Sequence, residues 1–228
     1  MRYTRFAAPA AAFALAFAAT AAQAQDENRV VAGGGVSVPG WTGKADGDES
    51  VDAAKLAREG DALHATTGPA ITYWNPANTA TGNYTVKATF REPQYMNLNN
   101  HPHPYGIVIA GNDLGTAQQS YLYCAAYGNG TFIVRGFGPA PFQVNGRRGE
   151  PNAAINKAAG ENQPVTQEIA VTVTNDAVQC AINGTVVGTY PKSELVTVGK
   201  LKSTDGVYGL RFGHNTEALV TGLTVTKN

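Results

Sequence analysis

Three tyrosines in one short run carry the clearest chemical potential in this chain. Ser120–Tyr127 reads SYLYCAAY, and a strand's period of two puts Tyr121, Tyr123 and Tyr127 on one face with Leu122, Cys124 and Ala126 on the other. Flat rings that stack on C–H surfaces while their hydroxyls make hydrogen bonds are how a sheet holds a sugar. The same rings also suit packing beneath a long loop or against a partner sheet, and both readings stand at this level.

A second candidate is Met96–Gly106, MNLNNHPHPYG, where His101 and His103 alternate with prolines that stiffen the loop. An H-x-H pair binds zinc or copper when a third donor arrives from elsewhere, and His64, His214 and Asp113 are the candidates for it. One histidine could instead move a proton near neutral pH, contact a ligand, or simply sit in a polar turn shaped by its prolines. The sequence assigns no metal and no cofactor. The third candidate is Gly136–Pro164, a long stretch without strand pattern, of the kind usually functional or unstructured. Arg135 stands just before it, and Arg147, Arg148 and Glu150 lie within it.

The elements that must position these residues are almost all strands. Ala177–Tyr190, AVQCAINGTVVGTY, flanks Asn183-Gly184 with β-forming runs, the strongest short-range signal for a two-residue hairpin. Glu168–Thr174 alternates before it, so three antiparallel strands follow one another. Further strands are predicted at Ala62–Thr66, Ala70–Trp74, Tyr84–Arg91, Gly106–Ala110, Ser120–Tyr127, Thr131–Phe137, Gly206–Gly213 and Ala218–Thr226, with a short helical turn over Asp52–Arg58 and Trp41 as an apolar anchor. Many short strands separated by turn residues predict a sandwich or jelly roll. The sequons at Asn83, Asn129 and Asn183 fall in turns that want asparagine for backbone reasons.

Residues 1–24 read as a secretory leader. Arg2 and Arg5 precede an Ala/Phe/Leu run that ends in Ala22-Gln23-Ala24, and the run is too short for a membrane span. One domain is expected over residues 25–228, exported to the periplasm or beyond. Removing the leader takes away two basic residues from a chain with 17 basic and 17 acidic ones. The slight acidic excess that remains argues against nucleic acid or an anionic membrane surface as partner. Cys124 and Cys180 both fall on core-facing positions of strands in an exported chain, which permits a disulfide and equally permits two buried thiols.

The order of GNYTVKATF, PYGIVIAG, the INGT hairpin, GVYGLRFGHN and a closing ALVTGLTVTK resembles the concanavalin A-like lectin/glucanase jelly roll. Within it the chain resembles the 3-keto-disaccharide hydrolase domain family. The resemblance implies two curved antiparallel sheets with ligand on or beside the concave one, a surface that Arg211 and His214 would approach if the jelly-roll order holds. A glucanase of that superfamily would carry an E-x-D-x-x-E or E-x-D-x-E strand, whose carboxyls lie about 5 Å apart for retaining hydrolysis. No such spacing occurs here, and Pro164-Val165-Thr166-Gln167 stands where many keto-disaccharide relatives carry Trp-Asn. The expectation is therefore a lectin-like carbohydrate binder without catalysis. Tyr121, Tyr123, Tyr127, Arg135, His101, His103, Arg211 and His214 are its candidate ligand residues. A keto-disaccharide hydrolase is the alternative, and a structural or protein-interaction module the third. The oligomeric state is not specified by the sequence.

Overall fold

Period-two alternation dictates most of the chain's architecture. The computed structural model describes residues 27–97 and 100–228; the leader predicted over residues 1–24 lies outside the described residues. The strands are β1 (Gly35–Val36), β2 (Thr42–Ala45), β3 (Ala54–Glu59), β4 (Ala62–Thr67), β5 (Ile71–Ala80), β6 (Tyr84–Glu92), β7 (Tyr105–Asn112) and β8 (Ser120–Ala126). They continue as β9 (Thr131–Phe137), β10 (Pro141–Gln143), β11 (Glu150–Pro151), β12 (Val165–Val173), β13 (Ala177–Ile182), β14 (Thr185–Pro191), β15 (Gly206–Phe212) and β16 (Glu217–Lys227).

Two sheets result. The first has the order β1-β3-β4-β16-β6-β12-β13-β14 and the second β10-β9-β8-β7-β15-β5-β2, with β11 also on β9. Neighbours pair antiparallel except β1 with β3, where Gly35 and Val36 run parallel to Lys55 and Leu56. Both of the last two strands insert centrally: β15 lies between β7 and β5, and β16 between β4 and β6. The core fills the space between the sheets. Leu56, Val86, Phe90, Val171 and Ile182 come from the first sheet, and Ile71, Ile107, Leu122, Val134 and Phe212 from the second. Along β6 the inward set Tyr84, Val86, Ala88, Phe90 and Glu92 is buried, as alternation predicts for a strand with one wet face. β7, central in its sheet, is buried on both faces over Tyr105–Gly111.

Cys124 on β8 and Cys180 on β13 form a disulfide across the sandwich, with Cα atoms 6.0 Å apart. Asn183 (φ 51°) and Gly184 (φ 80°) supply the two positive φ values that the tight β13–β14 hairpin demands.

Three local expectations are corrected. The helical turn at Asp52–Arg58 is a single 3-10 turn, Val51–Ala53, capped by the Ser50 side chain, after which β3 begins. Ala54 and Leu56 are buried there while Lys55 and Ala57 are not fully so, a strand's alternation that pairing with β4 secures. β5 runs on past Trp74 to Ala80, carrying Pro76 where the pairing with β15 shifts register, a site that tolerates a missing N–H. Gly136–Pro164 is not structureless: β10 and β11 fold back onto β9, and Ile155 is buried in the core.

Candidate functional site

The face of the second sheet turned away from the core carries its own apolar cluster of Val108, Tyr121, Tyr123, Ala125 and Ile133, with Leu114, Tyr127 and Phe137 packed against it. Register explains the grouping: Tyr121 lies opposite Phe137, Tyr123 opposite Arg135 and Val108, and Arg211 opposite Thr72. The Tyr121 and Phe137 rings stack at 4.9 Å and 24°. The Arg211 guanidinium lies 5.5 Å from the ring centres of both Tyr123 and Phe137.

Arg211 is only 5% exposed, and its charge is met on several sides. Nη1 donates to Asp46 Oδ1 at 2.7 Å and to Thr72 Oγ1 at 3.1 Å, and Nη2 donates to Asp46 Oδ2. Thr72 Oγ1 passes the chain on, donating to the Tyr121 hydroxyl at 3.1 Å. Burial works against the guanidinium's charge, but the tyrosines and the bonded carboxylate outweigh it and hold the proton more firmly than usual. Burial pushes the Tyr121 phenol up to about 12, with Arg211 opposing the rise. At neutral pH this phenol is a neutral hydrogen-bonding group.

Above this network opens a cavity of about 330 Å³. Phe137 and the nearly buried Tyr121 and Thr72 line it together with Lys44, Asp46, Gln119 and residues 138–141. Its size and its mixture of ring and polar groups suit a small polar ligand.

The eight predicted ligand residues sort into two places. Tyr121, Tyr123, Tyr127, Arg135 and Arg211 share the outer face, but only Tyr121 lines the cavity. Tyr121 and Tyr123 are 2% and 6% exposed, because Phe137 and Arg211 occupy the space beside them. Arg135 is turned to the Arg147 carbonyl, which it reaches through Nη2. Arg147 and Arg148 are exposed and do not line the cavity, and Glu150 folds back to accept from the Gly146 amide.

His101, His103 and His214 gather elsewhere, at the end of the sandwich. Ring centres are 4.5 Å apart for His101 and His103, 4.0 Å for His103 and His214, and 6.0 Å for His101 and His214. Burial, reinforced by the two neighbouring imidazoles, depresses His103 to about 3, so it is neutral at physiological pH.

Sequence reasoning passed over Asp46, Thr72, Phe137 and Glu92. Phe137 and Thr72 were within reach, since the alternation applied to Ser120–Tyr127 puts both on outward positions of strands already recognised. Asp46 was not, because only the fold brings it to Arg211 across 165 positions.

No family model matches this sequence, and no curated protein matches it. Solved structures do. The carbohydrate-binding module CBM66 from Bacillus subtilis superposes with a TM-score of 0.56 at 8% identity, over 84% of this chain and 98% of that one. A Bacillus subtilis protein of unknown function with a galectin-like fold superposes with a TM-score of 0.59 at 12% identity, over 82% and 89%. At these identities the likeness is one of fold. The chain is an all-β jelly-roll sandwich of two sheets, antiparallel but for the β1–β3 pair, with the fold of these neighbours.

Proposed function

We propose that this protein is an exported carbohydrate-binding sandwich that holds its ligand in the cavity on the outer face of the second sheet and performs no chemistry on it. The cavity itself carries this reading: about 330 Å³, with Phe137 as aromatic lining stacked on the buried Tyr121, and with Lys44 as donor, Asp46 as acceptor and Gln119 as both. Sugars need that combination, an apolar surface for C–H groups bordered by groups that exchange hydrogen bonds with hydroxyls. The fold neighbour named a carbohydrate-binding module supports the same reading. Export to the periplasm or beyond is supported by the leader pattern of residues 1–24 and by a disulfide that suits an oxidising compartment.

The hydrolase alternative, of the 3-keto-disaccharide type, finds less support. Asp46 is the single carboxylate among the described residues lining the cavity, and both of its oxygens are engaged by Arg211. Hydrolysis by paired carboxyls needs a second acid within about 5–10 Å.

The test is a thermal-shift screen against mono-, di- and 3-keto-disaccharides, since a ligand that binds the native state raises its melting temperature. Each hit is followed by calorimetry on Phe137→Ala and Lys44→Ala and by product analysis. Weakening of about tenfold or more in Phe137→Ala with sugar recovered intact supports binding. Released product would replace this reading with the hydrolase. No shift with any sugar, or full affinity in both variants, would overturn it.

A further inference from the structure

Two connections cross between the sheets side by side. One leads from β6 in the first sheet to β7 in the second and carries His101 and His103; the other leads from β15 back to β16 and carries His214. Since β6 pairs with β16 and β7 with β15, the two crossings are neighbours at both ends. They are tied where the Gly213 amide donates to the Pro104 carbonyl at 2.7 Å. Gly213 has to be glycine for that approach, because a Cβ there would lie 2.6 Å from Pro104 Cδ and 3.2 Å from His103 Cβ. Pro102 and Pro104 restrict the backbone on either side of His103, so the imidazoles are held together by chain that has little freedom to spread.

We propose that His101, His103 and His214 bind a single divalent first-row transition ion, zinc or copper, with the Glu92 carboxyl beside them in the small cavity that His101 and His103 line.

Each imidazole offers a ring nitrogen within 4.8 Å of the others. Nitrogens bound tetrahedrally at about 2.0–2.1 Å lie about 3.3 Å from one another, a closure that small side-chain rotations supply. His101 Nδ1 meets Asn100 Oδ1 at 2.8 Å, an outer contact of the kind that fixes the orientation of a metal-binding imidazole.

A second observation comes from the opposite wall. Glu92 is 7% exposed, it lines a cavity of about 10 Å³ together with His101 and His103, and its Oε2 is buried without a hydrogen-bond partner among the described residues. Such a cavity has room for one ion or one water. A dication held by the three imidazoles beside this cavity would face the buried acid, and the nitrogen-rich set favours zinc or copper over calcium or magnesium. His101 is exposed, so an ion would reach the site from solvent and could keep one position open to it. The site is separate from the sugar cavity, with which it shares no lining residue.

The experiment is calorimetric titration of untagged, chelator-treated protein with Zn²⁺ and with Cu²⁺, and electron paramagnetic resonance of the copper form. One ion per chain is expected, with affinity falling at least tenfold in His101→Ala and in His214→Ala and unchanged in Asp113→Ala, whose carboxylate pairs with Lys202 instead. The copper spectrum should show three coupled nitrogens in the parent and two in His101→Ala. Because His101 is exposed, its variant keeps the parent's melting temperature, and lost binding cannot be ascribed to lost fold. Absence of stoichiometric binding of either ion, or binding that survives the His101→Ala/His214→Ala double change, would overturn the proposal.

Discussion

Arg211 and Asp46, 165 positions apart, meet in a two-pronged ion pair that leaves the arginine side chain 6% exposed and the aspartate 38%. β15 delivers the guanidinium to the middle of the second sheet's outer face, and the residue just after β2 delivers the carboxylate. Thr72 takes a further hydrogen bond from Nη1, and two aromatic rings flank the cation. Charge, hydroxyl and rings together form the base on which the cavity stands.

Asp46→Ala should therefore destabilise the protein by about 2–4 kcal/mol, because it strands a buried guanidinium. The pair itself is worth less than that loss. Replacing both partners, as Asp46→Leu/Arg211→Met, should recover much of the stability. Urea unfolding of the two variants makes the comparison. A double variant as unstable as Asp46→Ala would show that the pair contributes more than its rescue from isolation.

The Cys124–Cys180 bridge closes a loop of 56 residues and joins the two sheets. The chain-entropy relation puts its contribution at about 4 kcal/mol. Cys124→Ala/Cys180→Ala should lose an amount of that order in denaturant titrations, and the parent under reducing conditions should behave alike. A loss below about 1 kcal/mol would mean that packing alone holds the sheets in register.

His64 sits between two acids, Nε2 at 3.0 Å from Glu217 Oε1 and Nδ1 at 2.8 Å from Glu59 Oε2. The bond with Glu217 raises the imidazole above its ordinary 6.5, against the effect of burial, and the same bond lowers Glu217 below 4.5. A raised histidine stabilises fully below the unfolded pKa and stops doing so as pH climbs through the folded one. A lowered glutamate stabilises above its unfolded pKa and stops as pH falls through the folded one. The melting temperatures of the parent and His64→Gln should thus differ most near pH 5.5 and converge by about pH 9. A gap constant across that range would contradict the charge pairing.

Asn183 does more than turn the hairpin. Its Oδ1 accepts from the Glu168 amide at 2.8 Å, and its Nδ2 donates to Ala154 O and Gln167 Oε1, both at 2.8 Å. Asn183→Gly keeps the positive φ and loses these bonds; Asn183→Ala loses both. Costs of about 1–3 kcal/mol for glycine and more for alanine are expected from thermal unfolding. Equal costs would show that the backbone, not the amide, sets the requirement.

What the sequence disclosed follows the range of the interactions involved. Alternation is local, so Tyr84–Arg91 and the Asn183-Gly184 hairpin were legible with the right faces. The Gly136–Pro164 segment was not, because β10 and β11 are too short to alternate and exist only by pairing with β9. The same division runs through the site. Tyr121 and Tyr123 were placed on the correct face, but their burial also depends on Arg211 held by Asp46, neither of which is near them in the chain. His214 was named as one of three possible partners for His101 and His103. Selecting it required knowing that β15 ends where the Pro104 carbonyl waits.

The central seats of β15 and β16 set the order in which this molecule can come into being. A chain emerging from a ribosome presents β7 and β5 with a gap between them, and β4 and β6 likewise, until residues 206–227 arrive. Neither sheet is complete before then, although β6-β12-β13-β14 and β10-β9-β8-β7 can already pair within themselves. Assembly waits on contacts of long sequence separation, which makes it slow.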